Sequence, residues 1–339
     1  STQTPDNTSG TIEIQDGHTV TVLNSITIDE TTIQSTGGIV LNDGFQLTAL
    51  SLTINDGAGD DLVINGSLTL SDGFSFVGTS VSNNGQIVNT GTITINNTAL
   101  SSITMNANST YDHAQNGGSI PTSTWNATST CSITGVTTTS PSNLGQVFGS
   151  LIWNTPIHAG GAMMDLTSNT TSVLNNIEIQ CTGGSLMFIS FADIGVQVDI
   201  SNNFTISGSS FVVFTNTGSI DINVGGDFDY SSLTPSFFTS NGTTNLNLIG
   251  NFSHTSGSLG VSGSGVGLIN FEGRDTQTFT GGGSFTNIDF LVSSNAILDL
   301  GTDNLSGSGE FTLSNTSELR VGSTDINGAI QSGTTSGNI

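Results

Sequence analysis

The chain has 339 residues, only 8% of them charged, and its 26 Asp and Glu against 2 Arg and no Lys give a net charge of −24 at pH 7. Phosphate neutralisation needs clusters of Lys and Arg, and only Arg274 and Arg320 exist, so the composition excludes nucleic-acid binding. The scarcity of Lys, Arg and Glu also excludes a coiled coil or a helical bundle. The 34% of hydrophobic residues are nevertheless enough to form a slender core.

The first half of the chain consists of short alternating segments that end in Asn, Asp or Gly. Four of them close on Asp-Gly: Ile12–Gly17, Ile39–Gly44, Leu52–Gly57 and Leu68–Gly73. Alternation with period two predicts a strand, and Asp-Gly predicts a turn with positive φ after it. Helical periodicity is absent and no apolar run approaches 18 residues, so we expect almost no helix and no membrane span.

A longer repeat follows in the second half. Phe204, Phe228 and Phe252 recur at intervals of 24 residues, each directly after Asn or Asp and each preceded by an alternating segment. A period in the twenties with several short strands is typical of a solenoid, in which stacked coils share one continuous core. The three Phe residues are therefore predicted to form an internal aromatic ladder.

These patterns predict an all-β fold, a parallel β-helix (β-solenoid) that is right-handed, the hand that parallel crossovers almost always take. The alternative is a string of immunoglobulin-like sandwiches, which two Trp and two Tyr in the whole chain do not favour. We predict a solenoid arm over residues 1–109, irregular coils or an insertion over 110–195, and a second arm with the 24-residue repeat over 196–339.

Seven segments between residues 110 and 339 carry a resemblance to a known family: Ala114–Pro121, Thr124–Asn126, Cys131–Val136, Phe148–Asn154, Ile269–Phe271, Thr276–Phe279 and Leu319–Gly322. They resemble segments of very long β-repeat surface proteins of the Bacteroidota. The resemblance implies export by the type IX secretion system and an adhesin-like role at the cell surface. Relatives carry a Cys after a Trp-Asn pair where this chain has Thr155, so their cysteine pairing is not transferred.

Cys131 and Cys181 are the only cysteines. In an exported chain such a pair suggests a disulfide, which would stabilise the fold by about 3–4 kcal/mol. The alternative is two free thiols buried in separate coils, where cysteine behaves as a small apolar residue. Both interpretations remain open at the level of sequence.

The metal candidate is the acidic turn that contains Asp56, Asp60 and Asp61. It resembles one copy of the calcium-binding nonapeptide of β-rolls, in which carboxylates and carbonyls converge on Ca²⁺. Such sites need consecutive copies, and the alternative is a plain acidic turn between strands. Calcium is therefore the one cofactor considered, and the default expectation is none.

No motif in the chain indicates an enzyme. His18, His113, His158 and His254 lie far apart without metal-site spacing, and no nucleophile elbow occurs. A polysaccharide-cleaving β-helix would need paired carboxylates, for which Asp60 with Asp61 and Asp227 with Asp229 are the candidates. The turn at Asp60 and Asp61 has no basic partner in its segment, and both arginines lie in the final third of the chain.

The sequence thus predicts an extracellular structural module of a bacterial surface protein, either an adhesin stalk or a filament-forming subunit. The predicted partners are further copies or repeats end to end, and glycans or solid surfaces along the outer faces. A carbohydrate-binding module is the second hypothesis, and a polysaccharide-active enzyme is the third. A binding module usually has an exposed aromatic platform, whereas the aromatic residues here are mostly Phe at predicted core positions.

Overall fold

A computed structural model describes 14 stretches of the chain. They are residues 6, 8–55, 62–76, 81–83, 86–89, 92–95, 103–159, 162–163, 171–173, 175–190, 195–233, 236–322, 329–331 and 334–337. The chain divides into two compact units, Ser1–Ile152 and Trp153–Ile339. The boundary lies inside the section 110–195 that the sequence predicted to be irregular.

The described residues form all-β solenoid turns built from parallel sheets, about 12 in all, which confirms the predicted fold class and excludes antiparallel sandwiches. Strands β1 to β16 are Ile12–Ile14, Thr19–Val22, Ile26–Ile28, Thr31–Ile33, Gly38–Leu41, Gln46–Ile54, Leu62–Ile64, Ser67–Phe76, Val81–Asn83, Gln86–Asn89, Thr92–Ile95, Ile103–Met105, Thr110–His113, Ser123–Trp125, Thr130–Ile133 and Ser150–Asn154. Strands β17 to β37 are Ala162–Met163, Thr171–Val173, Ile177–Ser190, Val196–Ile200, Phe204–Thr215, Ser219–Val224, Phe228–Tyr230, Ser236–Thr239, Thr243–Leu248, Phe252–His254, Ser258–Val261, Val266–Phe271, Thr276–Gly281, Ser284–Thr286, Ile288–Val292, Ile297–Asp299, Leu305–Ser306, Glu310–Leu313, Glu318–Arg320, Ile330–Gln331 and Thr334–Gly337.

In the first unit a turn has three short strand segments, and each segment pairs with its counterpart in the next turn. Thr31 pairs with Ile12 before it and with Leu52 after it, which gives turns of about 20 residues. One face is a six-stranded sheet in the order β14-β12-β9-β7-β5-β2. Alternate side chains point inward, as in β6, where Leu47, Ala49, Leu52 and Ile54 are fully buried.

Two of the four predicted Asp-Gly turns have the expected backbone. Gly17 and Gly44 follow their strands with φ of 74° and 79°, a conformation that side-chain-bearing residues rarely adopt. The turn predicted at Asp72-Gly73 is wrong, because β8 continues through it to Phe76. Gly73 pairs with Ser51, and the β6–β8 pairing shifts register after Ala49, so the coil changes direction at a bulge inside the strand.

Parallel pairing continues into the section from residue 110 onward. β13 pairs with β15 in register, Thr110 with Thr130, and β12 pairs with β14, again about 20 residues apart. The alternating Ile-Thr-Ile pattern is missing here because the buried positions are taken by large or polar side chains, such as Tyr111, Trp125 and His113. The coil therefore persists where its sequence signature is lost.

The second unit has longer turns and a more regular core. One face is an eight-stranded sheet in the order β18-β20-β22-β25-β28-β31-β34-β37. Its strands stack with spacings near 24 residues, since Ile222 pairs with Val198 before it and Leu246 after it. All three of these side chains are at most 1% exposed, so this column forms part of the continuous core.

Candidate functional site

The predicted calcium residues Asp56, Asp60 and Asp61 lie outside the described residues. Within the described ranges, no group of three or more His, Cys, Asp or Glu side chains is arranged to hold a metal ion. Calcium at the acidic turn therefore stays a prediction.

Cys131 lies on β15, in register with Tyr111, and its free thiol is wholly buried. Burial raises the pKa of this thiol far above its usual range, and the negative charge of Asp112 adds to the effect. The backbone of Cys181 pairs with Ser209 between β19 and β21, whereas its side chain lies outside the described part of the chain. In the structure Cys131 is thus a free, buried thiol. The state of the cysteine pair stays a prediction.

The structure places Phe204, Phe228 and Phe252 in one column, each paired in register with the next. All three are at most 1% exposed, and successive ring centroids are 5.4 Å apart, edge-to-face and then stacked. Phe279 extends the column with a stacked contact at 5.5 Å to Phe252. The 24-residue repeat does not predict Phe279, because that turn takes 27 residues.

The polar residue before each Phe forms a second ladder, which we call the turn ladder. The side-chain Oδ1 of Asn203 accepts from the backbone N–H of Asp227 at 2.8 Å. Asp227 Oδ1 in turn accepts from the backbone N–H of Asn251 at 2.7 Å, and Asn251 Oδ1 accepts from that of Thr278 at 2.8 Å. Each turn thereby satisfies a backbone donor of the next, which explains why Asn or Asp precedes Phe.

We expect Asp227→Ala to lower the free energy of unfolding by about 1–3 kcal/mol, because it leaves the Asn251 backbone N–H without its acceptor. Asp227→Asn keeps an acceptor oxygen at the same position, so it is the matched control and should cost much less. Urea unfolding of both variants checks the prediction. Equal destabilisation by the two substitutions would show that the charge of Asp227, and not its acceptor oxygen, is what the turn requires.

The carboxylates considered for catalysis have different surroundings. Asp227 belongs to the turn ladder, where its Oδ1 also accepts a hydrogen bond from the side-chain amide of Asn251 at 3.0 Å. Asp229 lies on β23, on the outer face, in register with Thr205 and Ser253. Asp60 and Asp61 are outside the described residues.

Three of the four histidines are buried: His113, His158 and His254 are at most 2% exposed. His113 donates from Nε2 to the carbonyl of Gly117 at 2.7 Å, so the Tyr111 hydroxyl, 3.2 Å from Nδ1, donates to that nitrogen of the neutral ring. Burial lowers the pKa of all three below the ordinary histidine value. These neutral rings serve as core residues, in agreement with the sequence expectation that they are strand or loop residues.

The most organised polar surface is the outer face of the eight-stranded sheet. The side-chain amide of Asn223 donates to Oδ1 of Asp199 at 2.7 Å, and that of Asn247 donates to Oδ1 of Asn223 at 2.8 Å. Asn270 donates to Asn247 at 3.2 Å, and the Ser293 hydroxyl donates to Asn270 at 2.8 Å. We call this column the amide ladder. All its bonds run in one direction, toward Asp199, whose carboxylate can only accept.

In the neighbouring column, the side-chain amide of Asn245 donates to Oδ1 of Asp221 at 2.7 Å. Gln197, which pairs with Asp221, donates instead within its own strand to Oδ1 of Asp199 at 2.8 Å. Carboxylates thus stand where a column needs a final acceptor, and amides stand where a residue must both donate and accept. Because each amide is fixed by its neighbours, the surface is preorganised for a ligand that exchanges hydrogen bonds.

A groove of about 230 Å³ lies along the amide ladder. Asp199, Asn223 and Asn247 line it, Glu272 lies at the far side, and Ile249 contributes an apolar surface that is 59% exposed. Glu272 Oε1 accepts from the Asn270 amide at 2.6 Å, which fixes this carboxylate as well. The sequence predicts outer faces that contact glycans or solid surfaces, but it does not predict this groove, although Asp199, Asn223 and Asn247 recur at the 24-residue period.

Comparison of the chain with protein-family models, with curated proteins and with solved structures gave no match. Among the residues that the structure describes, none forms a helix of the length and hydrophobicity needed to cross a membrane. The β-solenoid fold is therefore what is established for this chain.

Proposed function

We propose that this chain is an extracellular structural module of a bacterial surface protein, an adhesin stalk or a filament-forming subunit that displays polar faces to its surroundings. The observation that supports this most is the amide ladder, which holds one polar column in a fixed orientation over successive turns. A solenoid suits this role because it repeats the same outer positions turn after turn.

Composition supports the same role. With two Arg and no Lys, the chain offers trypsin two cleavage sites, and a net charge of −24 keeps copies soluble and discourages their lateral association. Carbohydrate binding along the polar face is compatible with this role. The resemblance to Bacteroidota surface proteins supports the same location.

Immunogold labelling of intact cells of the source organism, with an antibody raised against this chain, tests the proposal. Label on unpermeabilised cells, lost after proteinase treatment of the cell surface, is the expected result. Label that needs permeabilisation would overturn it. Negative-stain microscopy of the purified chain then separates the two forms, since a filament-forming subunit gives fibres and a stalk segment gives discrete particles.

A further inference from the structure

The groove on the eight-stranded sheet combines features that a flat solenoid face does not need for its own stability. Four of its lining side chains are hydrogen-bonding groups held in fixed orientations: Asp199, Asn223, Asn247 and Glu272. Beside them Ile249 exposes 59% of its surface, although inward neighbours such as Leu248 are completely buried. An exposed apolar side chain next to fixed amides and carboxylates offers both apolar contact and directional hydrogen bonds.

The charges of the groove limit what it can bind. Its ionisable lining residues, Asp199 and Glu272, are both acidic, so a polyanion would be repelled. Asp199 lies on β20 and Glu272 directly follows β28, three strand spacings away, about 14 Å, which is too far for both carboxylates to coordinate one cation. A neutral ligand that donates and accepts hydrogen bonds avoids both problems.

The extent of the groove indicates a chain-like ligand. It crosses the turns of β20, β22 and β25 and reaches Glu272 just beyond β28. Amide and carboxylate oxygens recur along it at the strand spacing of about 4.8 Å. Hydroxyl groups match these acceptors and donors, and the C–H face of a sugar ring fits against an aliphatic side chain such as Ile249.

We infer that this groove binds a neutral, hydroxyl-rich glycan chain, so that the module itself contacts the surface to which the parent protein attaches. The inference rests on the proposed extracellular function and adds the class of ligand to it. Each turn contributes one weak contact, and several turns together give useful affinity by multivalency.

Affinity gel electrophoresis tests this with three neutral polysaccharides, dextran, mannan and hydroxyethylcellulose, and with alginate as an anionic comparison. We expect at least one neutral polymer to retard the chain and alginate to have no effect. Ile249→Ala and Asn247→Ala should weaken the apparent affinity at least tenfold. Asp229→Asn, on the outer face of β23 and outside the groove, and Leu233→Ala, an exposed residue outside it, are the matched controls and should bind as the unmodified chain does.

Ile249 is exposed, so its replacement by Ala does not threaten folding, and circular dichroism verifies this for each variant. Retardation by none of the neutral polymers, equal retardation by alginate, or full binding by Ile249→Ala would each overturn the inference. None of these outcomes bears on the labelling of intact cells, so the glycan site can fail while the structural role stands.

Discussion

Phe252→Ala is expected to lower the free energy of unfolding by about 3–5 kcal/mol, the range for truncating a fully buried Phe. Phe252 is completely buried, and its ring contacts Phe228 at 5.4 Å, Phe279 at 5.5 Å and Phe285 at 6.0 Å between centroids. The substitution therefore removes contacts to both neighbouring turns and leaves a cavity between them. Urea unfolding followed by far-UV circular dichroism measures the loss.

Leu233→Ala is the control for this variant, because Leu233 is 78% exposed. Its effect should stay within about 0.5 kcal/mol, as for most surface substitutions. In a solenoid each turn is stabilised mainly by its neighbours, so the loss at Phe252 should also accelerate hydrogen exchange in the adjacent turns. A loss below about 1 kcal/mol would mean that the aromatic column is not part of the stabilising core.

Acidification is expected to destabilise the chain through His254. This ring is completely buried, with edge-to-face contacts to Tyr230 at 5.0 Å and Phe285 at 4.7 Å, and the backbone of Gly283 lies directly against it. Burial lowers the pKa of His254 to about 4, and interactions with the backbone of Ser256 and Gly257 offset only part of that effect.

The direction of the pH effect follows from the different pKa of His254 in the folded and the unfolded chain. The unfolded chain binds the proton near pH 6.5, whereas the folded chain does not bind it until about pH 4. Between these values the unfolded state holds more protons, so stability falls as the pH decreases. The total loss attributable to His254 is about 3 kcal/mol, since one pKa unit corresponds to about 1.4 kcal/mol.

Urea unfolding at pH 7 and at pH 4 should therefore differ less in His254→Leu than in the unmodified chain, by about 3 kcal/mol. Other groups titrate alike in both proteins, so the comparison isolates His254 whatever the stability of the variant at pH 7. His254→Phe provides a second variant if the Leu substitution prevents folding. The same pH dependence in the variants and the unmodified chain would contradict the buried neutral ring.

The fold could be predicted from the sequence because its signals are local and periodic. Alternation at Ile12–Ile14 or Leu52–Ile54 specifies strands, and the 24-residue recurrence of Phe204, Phe228 and Phe252 specifies stacked coils. The sequence no longer predicts the strands and core positions correctly where the length of a turn changes or a strand contains a bulge. Phe279 was missed because its turn is longer, and Asp72-Gly73 was assigned to a turn because a bulge inside a strand has the same composition as a turn.

Less of the candidate site could be predicted from the sequence. Asn223 and Asn247 are visible as polar residues in alternating segments, but the direction of their hydrogen bonds depends on which residues align across turns. The groove also depends on Ile249, which directly follows Leu248 and so has the outward parity of Asn245 and Asn247. Alternation therefore indicates that this side chain is exposed, but it does not indicate that Ile249 lies beside Asp199, Asn223 and Glu272 in one groove.

Successive turns of the solenoid stack in parallel and in register, and an engineered disulfide tests this most directly. Asp229 and Ser253 lie side by side on β23 and β26, so Asp229→Cys with Ser253→Cys should form a cross-link on mild oxidation, identified by peptide mass. Thr205→Cys with Ser253→Cys is the control, because Thr205 lies one turn further away, about 9.6 Å from Ser253. We expect a cross-link in the first pair only; no cross-link there, or an equal yield in the control, would contradict the parallel stacking of 24-residue turns.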